Sequence, residues 1–245
     1  MSKIRQVVDL VSLAESLPDR LQELKRLILQ LRDAHSMRTD LQMAIDFIGT
    51  MEGLRDRATT AQVASADENA FLGLLYSSIY LYARVTKTSS KHRKYRFNFL
   101  KEYADDEVAK HLMLCELRDN ALAHFGPGEI HGGKVFHSDG VFLMLNPDGS
   151  TQVVTLSSRV VIQPRLIDTL RQMTQRALTL IGDHTQKLNA QVTSALNHEA
   201  GESTELSQLA QNHFTDLATF AGSEGAARDI LEGSRSGYRR GSARS

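Results

Sequence analysis

One segment of the chain, residues 105 to 124, has the pattern of a helix that is apolar around more than half of its circumference. At 100° per residue, two apolar stripes run along it. They consist of Val108, Leu112, Cys115 and Leu122 on one side and Leu114, Leu117 and Ala121 on the other. Such a helix needs neighbours on most of its sides, so the segment predicts a packed helical bundle.

The composition favours helices as well. The chain has 245 residues, of which 41% are hydrophobic, with four prolines and no tryptophan, and Leu, Ala and Gln are frequent. Its single cysteine, Cys115, excludes a disulfide or a Cys-based zinc site within one chain, which fits a reducing cytoplasm. The most apolar window, 71–83, is too short to span a bilayer, so we expect a cytoplasmic protein without a membrane partner.

The order of patterns along the chain predicts a mainly α protein: a helical bundle with a small inserted three-stranded antiparallel β-meander before the long C-terminal helix. Four regions follow from it: N-terminal helices at 1–60, the bundle at 61–200 with the meander at about 133–157, an amphipathic C-terminal helix at 201–221, and a tail at 222–245 with the composition of disorder. Within the first region we expect helices at 3–33 and 39–57, and Leu17-Pro18 offers a place where the first can break.

The meander rests on two turn signals. Ser138-Asp139-Gly140 and Asn146-Pro147-Asp148-Gly149 separate three short apolar runs, at 134–137, 141–145 and 152–156. The long helix is expected to begin at Pro164 and to continue to about Glu199.

A basic segment precedes the buried helix. Residues 69–101 contain no acid, and aromatic residues alternate there with lysines and arginines. This pattern is compatible with phosphate binding, and the candidate RNA-binding residues are Lys91, Arg93, Lys94 and Arg96. A solvated loop is the alternative interpretation.

Polar groups interrupt the buried helix near its end. Arg118 falls between the apolar stripes and Asp119 falls within the first, while Glu107 and His111 continue a line of polar groups toward the helix start. A charge at a buried position is paired or functional. A structural network, in which Arg118 pairs with a carboxylate from another helix, therefore remains open beside a functional one.

These residues resemble the motif of the HEPN superfamily. Arg118-Asp119 followed by His124, at the end of a buried helix, matches its pattern of Arg, four to six residues and His, with a polar residue directly after the Arg. Ala123 before the His and the Gly126-Pro127 break after it are also similar to many bacterial members.

The resemblance implies an α-helical bundle that dimerises through its motif helix. It also implies a metal-independent endoribonuclease, in toxin–antitoxin or antiviral defence systems, so that an antitoxin or a defence-system protein is a candidate partner. Some members keep the fold without catalysis, and the alternative function is a non-catalytic helical module that binds a protein or RNA partner.

The residue chemistry is compatible with this activity. His124 could take the proton of a 2′-hydroxyl, Arg118 could stabilise charge on the phosphate, and Asp119 would orient one of them. Glu107, His111 and Asn120 are the supporting residues. On a regular helix Arg118 and His124 are about 120° and about 9 Å apart, too far to grip one phosphate. Either the helix unwinds near Phe125-Gly126 or a two-fold partner completes the site, and we favour the dimer.

No cofactor or metal is expected. A zinc site on His124, His131 and His137 is disfavoured, because their loop lacks a Cys or carboxylate at ligand spacing. Toxins of the superfamily that are silenced by nucleotide transfer carry a Tyr two residues after the His. Here that position is Gly126, so we do not expect that mechanism.

Overall fold

A computed structural model describes residues 7–58, 65–87, 93–119, 130–131, 134–135, 137–147, 149–159, 164–202 and 204–231. The protein is mainly α-helical, with short antiparallel strand pairs, as the sequence predicts. It divides into two compact units: residues 40–182 form one, and residues up to 39 together with those from 183 onward form the other. No described helix is both long and apolar enough to cross a membrane.

The N-terminal part contains strand β1 (Val7–Val8), helix α1 (Leu10–Ser16), a 3₁₀ turn (Asp19–Leu21) and helix α2 (Gln22–Ala58). The carboxylate of Asp9 caps α1 by accepting hydrogen bonds from the backbone N–H groups of Val11 and Ser12. The break expected at Leu17-Pro18 is confirmed, because both residues have extended backbone angles.

A second break, between residues 33 and 39, was expected and is wrong. Helix α2 runs through this stretch without interruption. The residues there include no Gly or Pro, and the hydroxyl of Thr39 bonds to the carbonyl of His35 one turn earlier instead of capping a new helix.

Helix α3 (Ser65–Thr86) and helix α4 (Asp105–Leu117) follow. Acidic residues occupy the first turn of both, where they complement the positive end of the helix dipole. Side chains from α2, α3, α4 and the later helix α5 (Pro164–Glu202) build the core of the unit at 40–182. The largest of its fully buried apolar residues are Leu41, Ile48, Met51, Leu75, Ile79, Tyr82, Phe99, Leu114, Leu117, Ile167 and Leu170.

The strands between α4 and α5 form two hairpins rather than the expected three-stranded meander. Strand β2 (Ile130–His131) pairs with β3 (Lys134–Val135), and β4 (His137–Leu145) pairs with β5 (Thr151–Arg159). Ser138-Asp139-Gly140 is not a turn: it lies inside β4 opposite residues 156–158, because nine successive cross-strand pairs override the local turn signal. The turn at 146–149 is confirmed by the Asn146 N–H to Ser150 carbonyl hydrogen bond and by the positive φ of Gly149.

The C-terminal part differs from the single amphipathic helix expected over 201–221. Helix α6 (Thr204–Gln211) is followed by strand β6 (Phe214–Thr215), which pairs with β1, and by helix α7 (Leu217–Ala221). Residues 214–215 do not lie in a helix because their backbone pairs with β1. Helix α8 (Glu224–Leu231) lies where the tail was expected to begin, and its Ala226 and Ala227 pack with Ala221. The remainder of that tail lies outside the described residues.

Candidate functional site

The candidate site lies at the end of α4. Arg118 keeps helical backbone angles, and its N–H donates to the carbonyls of Leu114 and Cys115. Arg118 and Asp119 continue the helix as a wider π-helical turn, a local geometry that recurs at functional sites. Two of the predicted catalytic and supporting residues, Asn120 and His124, lie outside the described residues.

Arg118 and Asp119 form part of a three-membered charged group, which we call the Asp119 cluster: Asp119, Arg118 and Lys87. Arg118 donates from Nη1 to Oδ1 of Asp119 at 2.7 Å. The ammonium group of Lys87, just past the end of α3, donates to the other carboxylate oxygen. The Lys87 hydrogen bond, aided by the Arg118 charge, holds the pKa of Asp119 below its usual range. Asp119 is therefore ionised at neutral pH.

A cavity of about 820 Å³ lies beside this cluster. One face of α4, formed by Leu112, Cys115, Glu116 and Asp119, borders the cavity. The other lining residues come from the end of α3, from the segment before α4 and from His111: Val85, Thr86, Lys87, Arg96, Phe97, Asn98, Phe99, Leu100 and His111. The cavity thus combines an apolar and aromatic wall with cationic, anionic and amide groups.

The position of Leu112 corrects the expectation that α4 is packed along its whole first stripe. Leu112 is 55% exposed, because this side of α4 faces the cavity rather than another helix. The apolar pattern is confirmed for Leu114, Cys115 and Leu117, which are buried. His111 is buried as well, although its side chain is polar.

His111 belongs to a buried group of neutral side chains. Its Nδ1 lies 3.0 Å from the hydroxyl of Tyr82, which lies 3.4 Å from that of Tyr103. Burial, with a smaller contribution from Lys87, lowers the pKa of His111. Burial raises the pKa of Cys115, whose sulfur lies 3.6 Å from Nε2 of His111, to about 11. Both groups are uncharged at neutral pH, which suits a structural polar network better than proton transfer.

Glu107 has a structural position at the other end of α4. Its carboxylate accepts a hydrogen bond from the backbone N–H of Ala104 at 3.0 Å, which caps the helix, and it lies 3.3 Å from Nε of Arg176 on α5. About eleven residues, or roughly 16 Å of helix, separate it from Arg118. The structure does not bring Glu107 to the cavity.

The predicted RNA-binding residues divide into different environments. Arg96 is exposed and borders the cavity, whereas Lys94 is exposed but does not line it. Arg93 is turned to Asp40 on α2, with 2.9 Å between Nη2 and Oδ2, and is engaged in an ion pair there. Lys91 lies outside the described residues.

Lys87, Asn98 and Glu116 are cavity residues that the site prediction missed. Lys87 could have been found as the basic residue that follows an apolar helix. Asn98 and Glu116 carry no such signal. In the described part of the chain, no group of three or more His, Cys, Asp or Glu residues is placed to hold a metal ion. Of the three histidines weighed as zinc ligands, His131 ends β2, His137 begins β4 and His124 is not described.

Comparison with known proteins adds no relative: no protein-family model, curated protein or solved structure matches the chain.

Proposed function

We propose that the chain is a metal-independent endoribonuclease of the HEPN type. The observation that carries the proposal is the Asp119 cluster beside the cavity, where Asp119 holds the guanidinium of Arg118 at the end of the motif helix. The expected orienting role of Asp119 is compatible with this contact. Lys87 and Arg96 line the cavity together with the carboxylates Asp119 and Glu116, whereas Arg118 does not line it and reaches this group through Asp119.

In the proposed reaction, His124 takes the proton from a ribose 2′-hydroxyl. The 2′-oxygen then attacks the adjacent phosphorus, the bond from phosphorus to the 5′-oxygen breaks, and the 5′-oxygen leaves with a proton. The products are a 2′,3′-cyclic phosphate and a 5′-hydroxyl. Arg118 stabilises the charge that develops on the phosphate oxygens in the transition state.

A homodimer through the motif helix is part of the proposal. Arg118 and His124 of one regular helix point about 120° apart, so a second copy would complete the site.

The test is RNA cleavage in excess EDTA, with total RNA and a tRNA pool as substrates. We expect His124→Ala and Arg118→Ala to lower the cleavage rate by about 10²- to 10³-fold. Arg165→Ala is the matched control, because Arg165 is an exposed arginine in the first turn of α5, outside the cavity. A native protein that cuts both RNA pools no faster than His124→Ala contradicts the proposal.

The second candidate is a non-catalytic helical module that binds a protein or RNA partner. It is favoured by the same contacts, because Asp119 receives both Arg118 and Lys87 as a structural ion-pair group would. Thermal melting of Arg118→Ala separates the two functions. If the variant melts like the native protein but loses cleavage, the module is excluded; a large fall in Tm in a protein without cleavage supports it.

We propose a toxin or an antiviral defence effector that acts on RNA in the cytoplasm. Neighbouring reading frames provide the test: an adjacent antitoxin-like frame supports a toxin, and a larger defence cluster supports a regulated effector.

A further inference from the structure

The β4–β5 hairpin carries an unusual concentration of exposed apolar side chains. In the described part of the chain, seven of the twelve exposed large hydrophobic residues lie on it: Val141, Phe142, Leu143, Met144, Leu145, Val153 and Leu156. Among the described elements, β4 and β5 pack extensively only against each other. A two-stranded hairpin of this kind is marginally stable in water, and a contiguous exposed apolar patch marks an interaction surface.

The two faces of the hairpin differ. Residues alternate between faces along each strand, and the register places Val141, Leu143 and Leu145 on the same face as Val153. These four side chains, which we call the open face, are between 62% and 74% exposed.

The opposite face is less exposed than the open face: its Phe142, Met144 and Leu156 are between 44% and 58% exposed. It carries Phe142, whose ring lies against Gly140 in the space that a Cβ atom would need. Val154 on this face is half-buried. The open face therefore has the greater need of a partner.

The charge pattern points to the kind of partner. Between Gly140 and Ser158 the only charged residue is Asp148, which belongs to the turn segment. Exposed strands that stay monomeric usually carry charges that prevent association. An uncharged apolar face fits another uncharged apolar face, and in the described residues the other exposed large hydrophobics are dispersed along the chain rather than concentrated on one element.

We propose that the open face is a self-association surface, on which the hairpin of a second copy of this chain packs face to face. Each open face offers on the order of 400 Å² of apolar side-chain surface, and two stacked hairpins, with the threonines between these residues, bury roughly 1,000 Å² in total, the lower range of a specific interface. A two-fold axis through the stacked hairpins makes the contact self-complementary. The surface is distinct from the motif helix α4.

The experiment is sedimentation of the full chain at concentrations up to about 100 μM. The native protein should sediment as an assembly, and Leu143→Glu, at the centre of the open face, should halve its mass by weakening the contact about 100-fold. Gln152→Glu is the matched control, since Gln152 is exposed on the opposite face and gains the same charge. It should keep the native mass.

A second, milder variant keeps the proposal testable if Leu143→Glu fails to fold. Val153→Thr keeps the size and strand preference of the side chain but reduces its apolar surface, and it should weaken association about tenfold. A native protein that is monomeric throughout, a Leu143→Glu variant of native mass, or a Gln152→Glu variant that dissociates equally overturns the proposal. The readout is mass and not RNA cleavage, so failure of the self-association proposal is separate from failure of the ribonuclease. A native assembly whose mass Leu143→Glu leaves unchanged overturns the open face while leaving dimerisation through α4 in place.

Discussion

Two carboxylates in the unit at 40–182 each hold two cations. Asp40 on α2 receives Arg84, with 3.1 Å between Nε and Oδ2, and Arg93 at 2.9 Å. Asp119 receives Lys87 and Arg118. The two groups have the same chemical composition, one acid between two bases, but they lie in different surroundings.

Burial separates them. The side chain of Asp40 is 10% exposed, and none of its group lines the cavity. The side chain of Asp119 is 30% exposed, and Asp119 and Lys87 both border the cavity. A phosphate could compete with Asp119 for its cations, whereas Asp40 is positioned to join α2 to the end of α3 and to the segment after it. Access, rather than the set of residues, therefore distinguishes a candidate ligand site from a structural ion pair.

The largest expected effect is on the buried group. Asp40→Asn should lower the free energy of unfolding by about 3 kcal/mol, because it leaves the guanidinium groups of Arg84 and Arg93 without their carboxylate. Urea denaturation followed by circular dichroism measures this change. Glu202→Gln, at an exposed position at the end of α5, is the charge-matched control and should stay within about 0.5 kcal/mol of the native value. A loss for Asp40→Asn no larger than that of the control would remove the structural role.

A smaller effect is expected at the cavity. Asp119→Asn should cost less than about 1 kcal/mol, because the carboxylate of Asp119 is 30% exposed, against 10% for that of Asp40, and water screens its charge. The same denaturation experiment measures it. A cost equal to that of Asp40→Asn would contradict the difference between the two groups and favour the structural interpretation of Arg118.

The smallest expected effect is a change in pH dependence. The pKa of Asp119 is held below normal mainly by the Lys87 hydrogen bond, so its folded-state pKa lies below its unfolded value of about 3.9. Its contribution to stability is complete above the unfolded pKa and is lost as pH falls through the folded pKa. The stability difference between native protein and Asp119→Asn should therefore be constant from about pH 7 to about pH 5 and decline below about pH 4. A difference that grows as the pH falls would contradict this origin of the shift.

Local signals predicted the helical framework well. The break at Pro18 and the start of the long helix at Pro164 follow from the backbone preferences of proline. Each of these features depends on a few neighbouring residues, so the sequence contains the necessary information.

Predictions failed where distant strand pairing overrides a local signal, or where the local signal itself is compatible with two structures. Ser138-Asp139-Gly140 has turn chemistry but lies in a strand because β5 supplies hydrogen-bonding partners along its length. The stretch after Asp33 has polar residues that resemble helix caps, yet α2 continues because those residues are also compatible with a helix.

At the candidate site, too, local sequence patterns predicted only part of the arrangement. The motif predicted Arg118 and Asp119, which are in contact, but nothing local distinguishes Arg93, bound to Asp40, from Arg96 at the cavity. Catalysis by Arg118 and His124, and the supporting role of Asn120, remain predictions.

The residue pattern alone specified the helical class, the starts of α4 and α5 and the placement of polar groups on a largely apolar helix. Only the tertiary structure decided that the Leu112 side of α4 faces a cavity, and that Lys87 meets Asp119 while Arg93 meets Asp40. The physical reason is that periodicity reports which residues share a face. What that face contacts depends on elements that are distant along the chain, and the balance of burial and pairing there is a property of the assembled fold.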